Sequence, residues 1–460
     1  MYQIDFNKPI HVHFIGIGGI SMSGLAEILL KEKFTVSGSD SKESDITKLL
    51  NSLGASVVIG QQAANITKDI DLIVYTAAIH KDNPEYVAAE NSGIPMMSRA
   101  ELLGQIMSNY RYPVAVAGTH GKTTTTSMLT HILLAADSDP TISVGGMLDA
   151  IGGNIRVGKS DYFVTEACEY TNSYHKFHPL ISIILNVDAD HLDFFSGIEE
   201  IIQSFKTFAN ILPKEGSLII NGEMDCFGTI TQDLPAKVVT FGLKDSFDYS
   251  ASDITYDENG YPSYTLVKQG TPITQIRLHV HGIHNVTNSL AAIAAADLLG
   301  MPETAWSKGL AEFDGAKRRF EIKGDWNGVT IIDDYAHHPT EIKATLTAAA
   351  DTDHHEIWCI FQPHTYSRTK ALLPEFAEAL HTADHVVLAK IYAAREQDPG
   401  TISSQDIADI LQNTYHTDVT YLETFEQIES YLKNNCKKND LLITMGAGDV
   451  VNIGEDLLKK

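Results

Sequence analysis

Short apolar runs that close on glycine, each followed by a longer segment of helical character, recur from one end of the chain to the other. His11-Val12-His13-Phe14-Ile15 predicts a strand, Gly16-Ile17-Gly18-Gly19-Ile20-Ser21 a turn, and 22–30 an apolar helix. A second strand over 34–38 ends at Asp40, giving a βαβ order, and further strands are predicted at 57–59 and 72–75. A new unit opens where the apolar run 113–117 enters Gly118-Thr119-His120-Gly121-Lys122-Thr123-Thr124-Thr125-Thr126, followed by a helix-like segment over 127–136. Strands at 162–165, 181–186, 217–221 and 237–241 follow, and Gly282-Ile283-His284-Asn285 opens a helix running through 289–299. In a third unit, strand-like runs at 329–332, 357–361, 385–388 and 441–445 alternate with helical patterns. The pattern predicts three consecutive α/β domains: a Rossmann-like domain over 1–112, a P-loop-type domain over 113–316 and a Rossmann-like C-terminal domain over 317–460.

Three domains also suit the length of 460 residues, at roughly 150 residues each. The net charge of -25 argues against nucleic acid or an anionic membrane as a partner. It does not exclude anionic substrates, because charges beyond about 8 Å are screened and a few local cations decide what a pocket accepts. Cys168, Cys226, Cys359 and Cys436 are too scattered for a zinc knuckle or a disulfide framework. No apolar signal core opens the chain and no run approaches about 18 apolar residues, so the expectation is a cytoplasmic protein without stable membrane association.

The turn over 118–126 carries the most specific chemistry. A strand, a glycine turn with Lys-Thr and a helix converge backbone N–H groups on one point where the helix dipole favours an anion. Lys122 would add a cation and Thr123 a hydroxyl for Mg²⁺, although Val116 stands where the generic phosphate-loop pattern has its first glycine. The first glycine turn is less specific. Ser21 replaces its third glycine, which disfavours a dinucleotide oxidoreductase, yet a pyrophosphate could rest on Gly16, Gly18 and Gly19; the plainer reading is a tight turn alone.

Other candidates follow predicted strands, at the carboxyl ends where open α/β sheets place their sites. Glu166 and His191 would meet Thr123 around a metal, unless they belong to a solvated acidic loop. Asn285 and Asn288, with His284, lie one helical turn apart and suit a purine edge; helix capping is the alternative. Asp334, His337, His364, Arg368 and the run Tyr392-Ala393-Ala394-Arg395 suit anions and a small polar substrate, and the His337-His338 pair lacks a zinc frame. Arg319 would reach a phosphate across a domain boundary, or else lie on a solvated basic turn with Lys317 and Arg318.

Taken in order, His13 to Gly19, Gly118 to Thr126, Asp190-His191, His284-Asn285, Arg319-Phe320-Glu321, Asp334 to Glu341, Gln362-Pro363-His364 with Arg368, and Tyr392 to Arg395 resemble the ATP-dependent muramyl ligases of bacterial cell-wall synthesis. The resemblance spans nearly the whole chain and is strongest to members that join L-alanine to UDP-N-acetylmuramate through an acyl phosphate. It implies ATP and Mg²⁺ as cofactors and a monomer or homodimer. It implies UDP-sugar contacts at Gly16, Gly18, Gly19, Ser21 and Asp40, and ATP contacts at Gly118, Thr119, His120, Gly121, Lys122, Thr123, Thr124, His284, Asn285, Asn288, Arg319 and Asp334. It implies catalysis by Lys122, Glu166 and His191, metal binding by Thr123, Glu166 and His191, and amino-acid contacts at His337, His364 and Arg368. Lys206 falls near a lysine that is carbamoylated in related ligases; here it is expected to be an ordinary lysine. A muramyl-peptide recycling ligase, or one adding glycine or serine, would share these motifs, whereas a bare ATP hydrolase would not need three α/β units.

Overall fold

The computed structural model describes residues 3–459 other than Ala77 and Arg395, so Arg395 of the Tyr392 motif lies outside the described residues. Three sheets succeed one another along the chain. In the first, five parallel strands place His11–Ile15 at the centre, Thr35–Asp40 and Ser56–Ile59 on one side, and Leu72–Tyr75 and Met96–Ser98 on the other. The winding direction reverses between His11–Ile15 and Leu72–Tyr75, and the turn 16–21 sits at the carboxyl end of that reversal, where such sheets leave a crevice.

The central sheet has ten strands. Tyr112–Ala117 lies between Ile181–Ile184 and Tyr162–Ala167, all parallel, and the parallel set extends through Ser217–Asn221 and Lys237–Phe241 on one side and Thr141–Leu148 on the other. Tyr249–Tyr256, Pro262–Lys268 and Thr271–Arg277 add an antiparallel meander at one edge. This meander lay outside the strands read from the sequence. The third sheet is parallel except for the edge strand Glu321–Trp326, which pairs antiparallel with Val329–Asp334.

The helix after the phosphate turn begins at Lys122, not at 127, and takes in all four threonines. β-branched residues are poor helix formers. Here Thr124, Thr125 and Thr126 are buried against the central sheet, and packing overrides propensity.

Apolar packing does not treat the three domains alike. One continuous cluster joins Val12, Phe14, Leu102 and Ile106 of the first domain to Phe163, Phe205 and Phe208 of the second. At that seam a Cβ on Gly104 would lie 1.9 Å from the Lys176 carbonyl oxygen, so only glycine lets the two backbones meet. The clusters on both faces of the third sheet hold third-domain residues alone. Among the described residues, polar and charged contacts carry much of the junction between the third domain and the second: Arg368 to Asp190, Thr340 to Asp188, and His120 to Glu341. Such interfaces bury little apolar surface and permit relative domain motion. No described helix is long and apolar enough to cross a membrane.

Candidate active site

Two glycines shape the phosphate turn. Gly118 (φ +143°) and Gly121 (φ +83°) occupy conformations that L side chains rarely adopt, and a Cβ on Gly121 would lie 2.7 Å from Asn288 Oδ1. Asn186, just past the neighbouring strand Ile181–Ile184, pins the turn reciprocally: its Oδ1 accepts from the His120 N–H (2.8 Å) and its Nδ2 donates to the His120 carbonyl (3.0 Å). The Asp188 N–H adds a bond to Thr119 Oγ1 (2.9 Å). Asn186 and Asp188 were not among the residues assigned a site role by motif; their position at a strand's carboxyl end was the available signal.

Lys122 is held inside the turn, donating to the carbonyls of Gly118 (2.6 Å) and Thr119 (3.0 Å) and to Glu169 Oε2 (3.2 Å). Burial opposes its charge, but Glu169, with Cys168 and Glu166 nearby, outweighs burial and raises the pKa above the usual lysine range. Glu169 is 2% exposed, and its second oxygen has no hydrogen-bond partner among the described residues. That oxygen lies 3.9 Å from His191 Nε2. Glu169 was given no site role from the sequence. His191 has φ +53°, uncommon for a residue other than glycine, and burial lowers its pKa. Glu166 accepts from the Gly145 N–H (2.6 Å). Lys122, Thr123, Glu166 and His191 all line one cleft of about 660 Å³.

Each domain contributes a wall to that cleft: Ile20 from the first, the four residues just named from the second, and Arg319, Tyr335, His337 and Glu341 from the third. Beside it, a cavity of about 240 Å³ is lined by His120, Gly121, Thr124, His284, Asn285, Asn288, Arg319 and Asp334, together with Phe320 and Glu341. Neither asparagine caps its helix. The helix begins at Ile283 with Gly282 as its cap, Asn285 donates back to the His281 carbonyl (2.7 Å), and Asn288 donates to Asn285 Oδ1 (3.0 Å). Asp334 accepts from the N–H groups of Phe320 (2.9 Å) and Ala336 (2.8 Å), yet burial outweighs Arg319 and pushes its pKa up to about 6.

Glu341 links the charges across the domain junction. Its carboxylate lies 3.2 Å from His120 Nδ1, 3.3 Å from His337 Nδ1 and 3.5 Å from Arg319. Burial disfavours protonated His120, but Glu341 and Asp188 prevail and push its pKa up to about 9. His337 moves the other way, down to about 4, because burial and Arg368 outweigh the carboxylates. Arg319 therefore faces the site, partly buried, whereas Arg318 is spent within the third domain on Asp333 (2.9 Å) and the carbonyls of Gly446 and Gly448. Arg368 gives two bonds to Asp190 Oδ1 (3.0 and 2.8 Å) and lies 3.1 Å from His364 Nδ1, on the wall of a further cavity of about 400 Å³ that His191 also lines.

In the first domain Gly16 has φ +85°, and Asp40 Oδ2 accepts from the Gly18 N–H (2.9 Å), so one carboxylate oxygen braces the turn. The helix Ile20–Lys31 has Gly19 as its cap with no side-chain cap bond, leaving its first N–H groups open to a ligand. Ser21 lies within that helix's first turn and avoids positive φ, so replacing the third glycine introduces no strain.

Family models match each part of this architecture: "Mur ligase family, catalytic domain" over 11–111, "Mur ligase middle domain" over 116–296, and "Mur ligase, glutamate ligase domain" over 318–448. The chain belongs to the Mur ligase family. This Mur ligase is 60% identical to the UDP-N-acetylmuramate–L-alanine ligase of Agathobacter rectalis, with all of both chains aligned. It is 50% identical to the protein of the same name from Caldanaerobacter subterraneus, over 100% of this chain and 99% of the relative. Among solved structures it resembles the UDP-N-acetylmuramate-alanine ligase of Thermotoga maritima (TM-score 0.78, 30% identity, 98% of each chain). It also resembles a murein peptide ligase of Psychrobacter arcticus (TM-score 0.70, 25% identity, 98% of each chain).

Proposed function

We infer that this Mur ligase uses ATP to join the amine of L-alanine to the carboxylate of UDP-N-acetylmuramate, a step in making the peptidoglycan precursor. The observation that carries this reading is full-length identity of 60% to a relative bearing that activity's name. A phosphate turn at a cleft walled by three domains supports it.

The site's central task is to bring two anions together. A carboxylate and a phosphate oxygen 4 Å apart repel by about 4 kcal/mol at an effective dielectric of 20, and more for a multiply charged phosphate. In this reading the turn 118–124 and the helix N-terminus hold the ATP phosphates, Asn285 and Asn288 face the base, and Asp334 faces the ribose. Lys122 and Arg319 offset the charge that develops as the carboxylate oxygen attacks the γ-phosphorus and ADP leaves. The alanine nitrogen then attacks the acyl carbon, the C–O bond to phosphate breaks, and the amide, phosphate and a proton are released. His337, neutral at pH 7, can accept a hydrogen bond from the incoming amine without repelling its cationic form. Arg368 and His364 would receive the alanine carboxylate, with Arg368 exchanging Asp190 for it. The open helix N-terminus after Gly16, Gly18 and Gly19 would hold the UDP diphosphate, with Ser21 in its first turn and Asp40 bracing the glycines.

Mg²⁺ fits the donor set. Thr123 and Glu166 supply oxygen donors on one wall of the cleft, and His191 shares it. When bound, the ion supplies charge neutralisation between the two anions. All three walls come from one chain, so the cleft is complete without a second copy.

The test is ADP formation with UDP-N-acetylmuramate and, in turn, L-alanine, glycine, L-serine or the tripeptide L-Ala-D-Glu-diaminopimelate. Turnover requiring both muramate and L-alanine is expected. A preference for the tripeptide would make the protein a recycling ligase, and hydrolysis of ATP alone would reject ligation.

A further inference from the structure

His13 opens the first glycine motif, yet nothing in the ligation chemistry uses it. It is 3% exposed, and beside it lies Glu85, wholly buried in the helix Pro84–Ser92. One turn along the same helix, Ala89 packs with Ile15 and Ile73 in an apolar cluster. Acids are almost never buried completely unless their oxygens are paired, and apolar replacements of buried ionic groups are often neutral or stabilising. A carboxylate kept at this place therefore calls for a reason besides stability.

Both of its oxygens are taken. Oε1 lies 2.8 Å from His13 Nε2, and Oε2 accepts from the Ser39 hydroxyl (2.6 Å). His13 Nδ1 in turn lies 2.8 Å from Ser37 Oγ. His13 and Ser37 are register partners in the neighbouring strands His11–Ile15 and Thr35–Asp40, and alternation puts Ser39 on the same face as Ser37. One side chain from the helix thus ties the strand that enters the turn 16–21 to the strand against which that turn rests.

The end of that second strand shapes the turn. The Ser39 carbonyl accepts from the N–H groups of both Gly16 and Ile17 (2.9 Å each), and Asp40 Oδ2 accepts from that of Gly18 (2.9 Å). Three successive N–H groups of the turn are thereby fixed, which leaves those at the start of the helix Ile20–Lys31 for a ligand. Glu85 holds Ser39 by its side chain while the turn hangs from Ser39 by its main chain.

We propose that Glu85 is a positioning residue for the diphosphate of UDP-N-acetylmuramate, acting through Ser39 and His13 on the turn 16–21. This rests on the reading of that turn as the diphosphate site. Supporting side chains of this kind keep a binding group within about 0.5 Å of its productive position by locking its neighbours. Being wholly buried, Glu85 touches no substrate, so its loss shows in affinity for the UDP-sugar and not in the chemical step.

Calorimetric titration of the full-length protein with UDP and with UDP-N-acetylmuramate, in the presence of a non-hydrolysable ATP analogue, tests this alongside steady-state kinetics and thermal melting. Glu85→Gln leaves one acceptor oxygen where two are needed, and Ser39→Ala removes the hydroxyl alone. Each should weaken UDP binding and raise KM for UDP-N-acetylmuramate about 10–100-fold, the range for one hydrogen bond to a charged group, with kcat and the KM for ATP unchanged. Ala89→Gly weakens the same helix without touching the carboxylate and should keep parental affinity despite a lower melting temperature. Parental binding in both Glu85→Gln and Ser39→Ala would overturn the proposal. So would an equal loss of affinity in Ala89→Gly, which would make helix stability the cause. A parent protein that binds neither UDP nor UDP-N-acetylmuramate would instead remove the reading of the turn itself, and the positioning role with it.

Discussion

Lys122 has two jobs in this structure, and they can be separated. Its ammonium lies 3.2 Å from Glu169 Oε2, and the carboxylate is almost fully buried. At an effective dielectric of 20 that pair attracts by about 5 kcal/mol. Removing one partner of a buried pair typically costs about 3–5 kcal/mol, because the other charge is left uncompensated. Lys122→Ala should therefore lose about that much stability, and separately lose the ~2.7–4 kcal/mol of transition-state stabilisation given by one donor, about 10²–10³-fold in kcat. In Lys122→Ala/Glu169→Gln the stranded charge is gone. Most of the lost stability should return while turnover stays low. Urea denaturation followed by tryptophan fluorescence, with ADP release on the same samples, reads both quantities. Recovery of neither in the double variant would refute the buried-pair reasoning, and Lys122→Ala turnover within tenfold of the parent would remove the phosphate role.

Gly121→Ala combines a positive φ with a Cβ 2.7 Å from Asn288 Oδ1, so nucleotide affinity measured by calorimetry should fall more than tenfold while circular dichroism is preserved. His337 has its pKa lowered to about 4 against about 6.5 when unfolded, so its contribution to stability is present above pH 6.5 and is lost as pH falls toward 4. About 2 kcal/mol of that should be gone by pH 5. The drop in urea midpoint between pH 7 and pH 5 should therefore be shallower in His337→Gln, and an unchanged drop would count against the assignment. Chelation of Mg²⁺ should abolish ADP formation and its return should restore it, with Glu166→Gln raising the Mg²⁺ concentration needed for half-maximal rate.

Much of the site was legible because its residues sit where short apolar runs end: Lys122, Glu166, His191, Asp334 and His364 all follow strands that the periodicity marks. What was not legible depends on contacts between segments far apart in the chain. Glu341 closes a recognisable motif, but only docking of the third domain onto the second makes it the counter-ion of His120. Glu169 looks like any acid after a strand until the fold buries it beside Lys122. The helix start at Lys122 was hidden by β-branched residues whose propensity packing overrides. The meander 249–277 ends in the largely solvent-facing edge strand Thr271–Arg277, whose apolar pattern is weak, and it escaped notice for that reason.

In the proposed reaction the cleft joins a carboxylate oxygen directly to the γ-phosphorus before the amine attacks. Single-turnover ligation with UDP-N-acetylmuramate carrying ¹⁸O in its carboxylate tests it. One labelled oxygen should appear in each released phosphate, with the other kept in the amide. Phosphate free of label, at full amide yield, would contradict an acyl phosphate and the placement of Lys122 and Arg319 that rests on it.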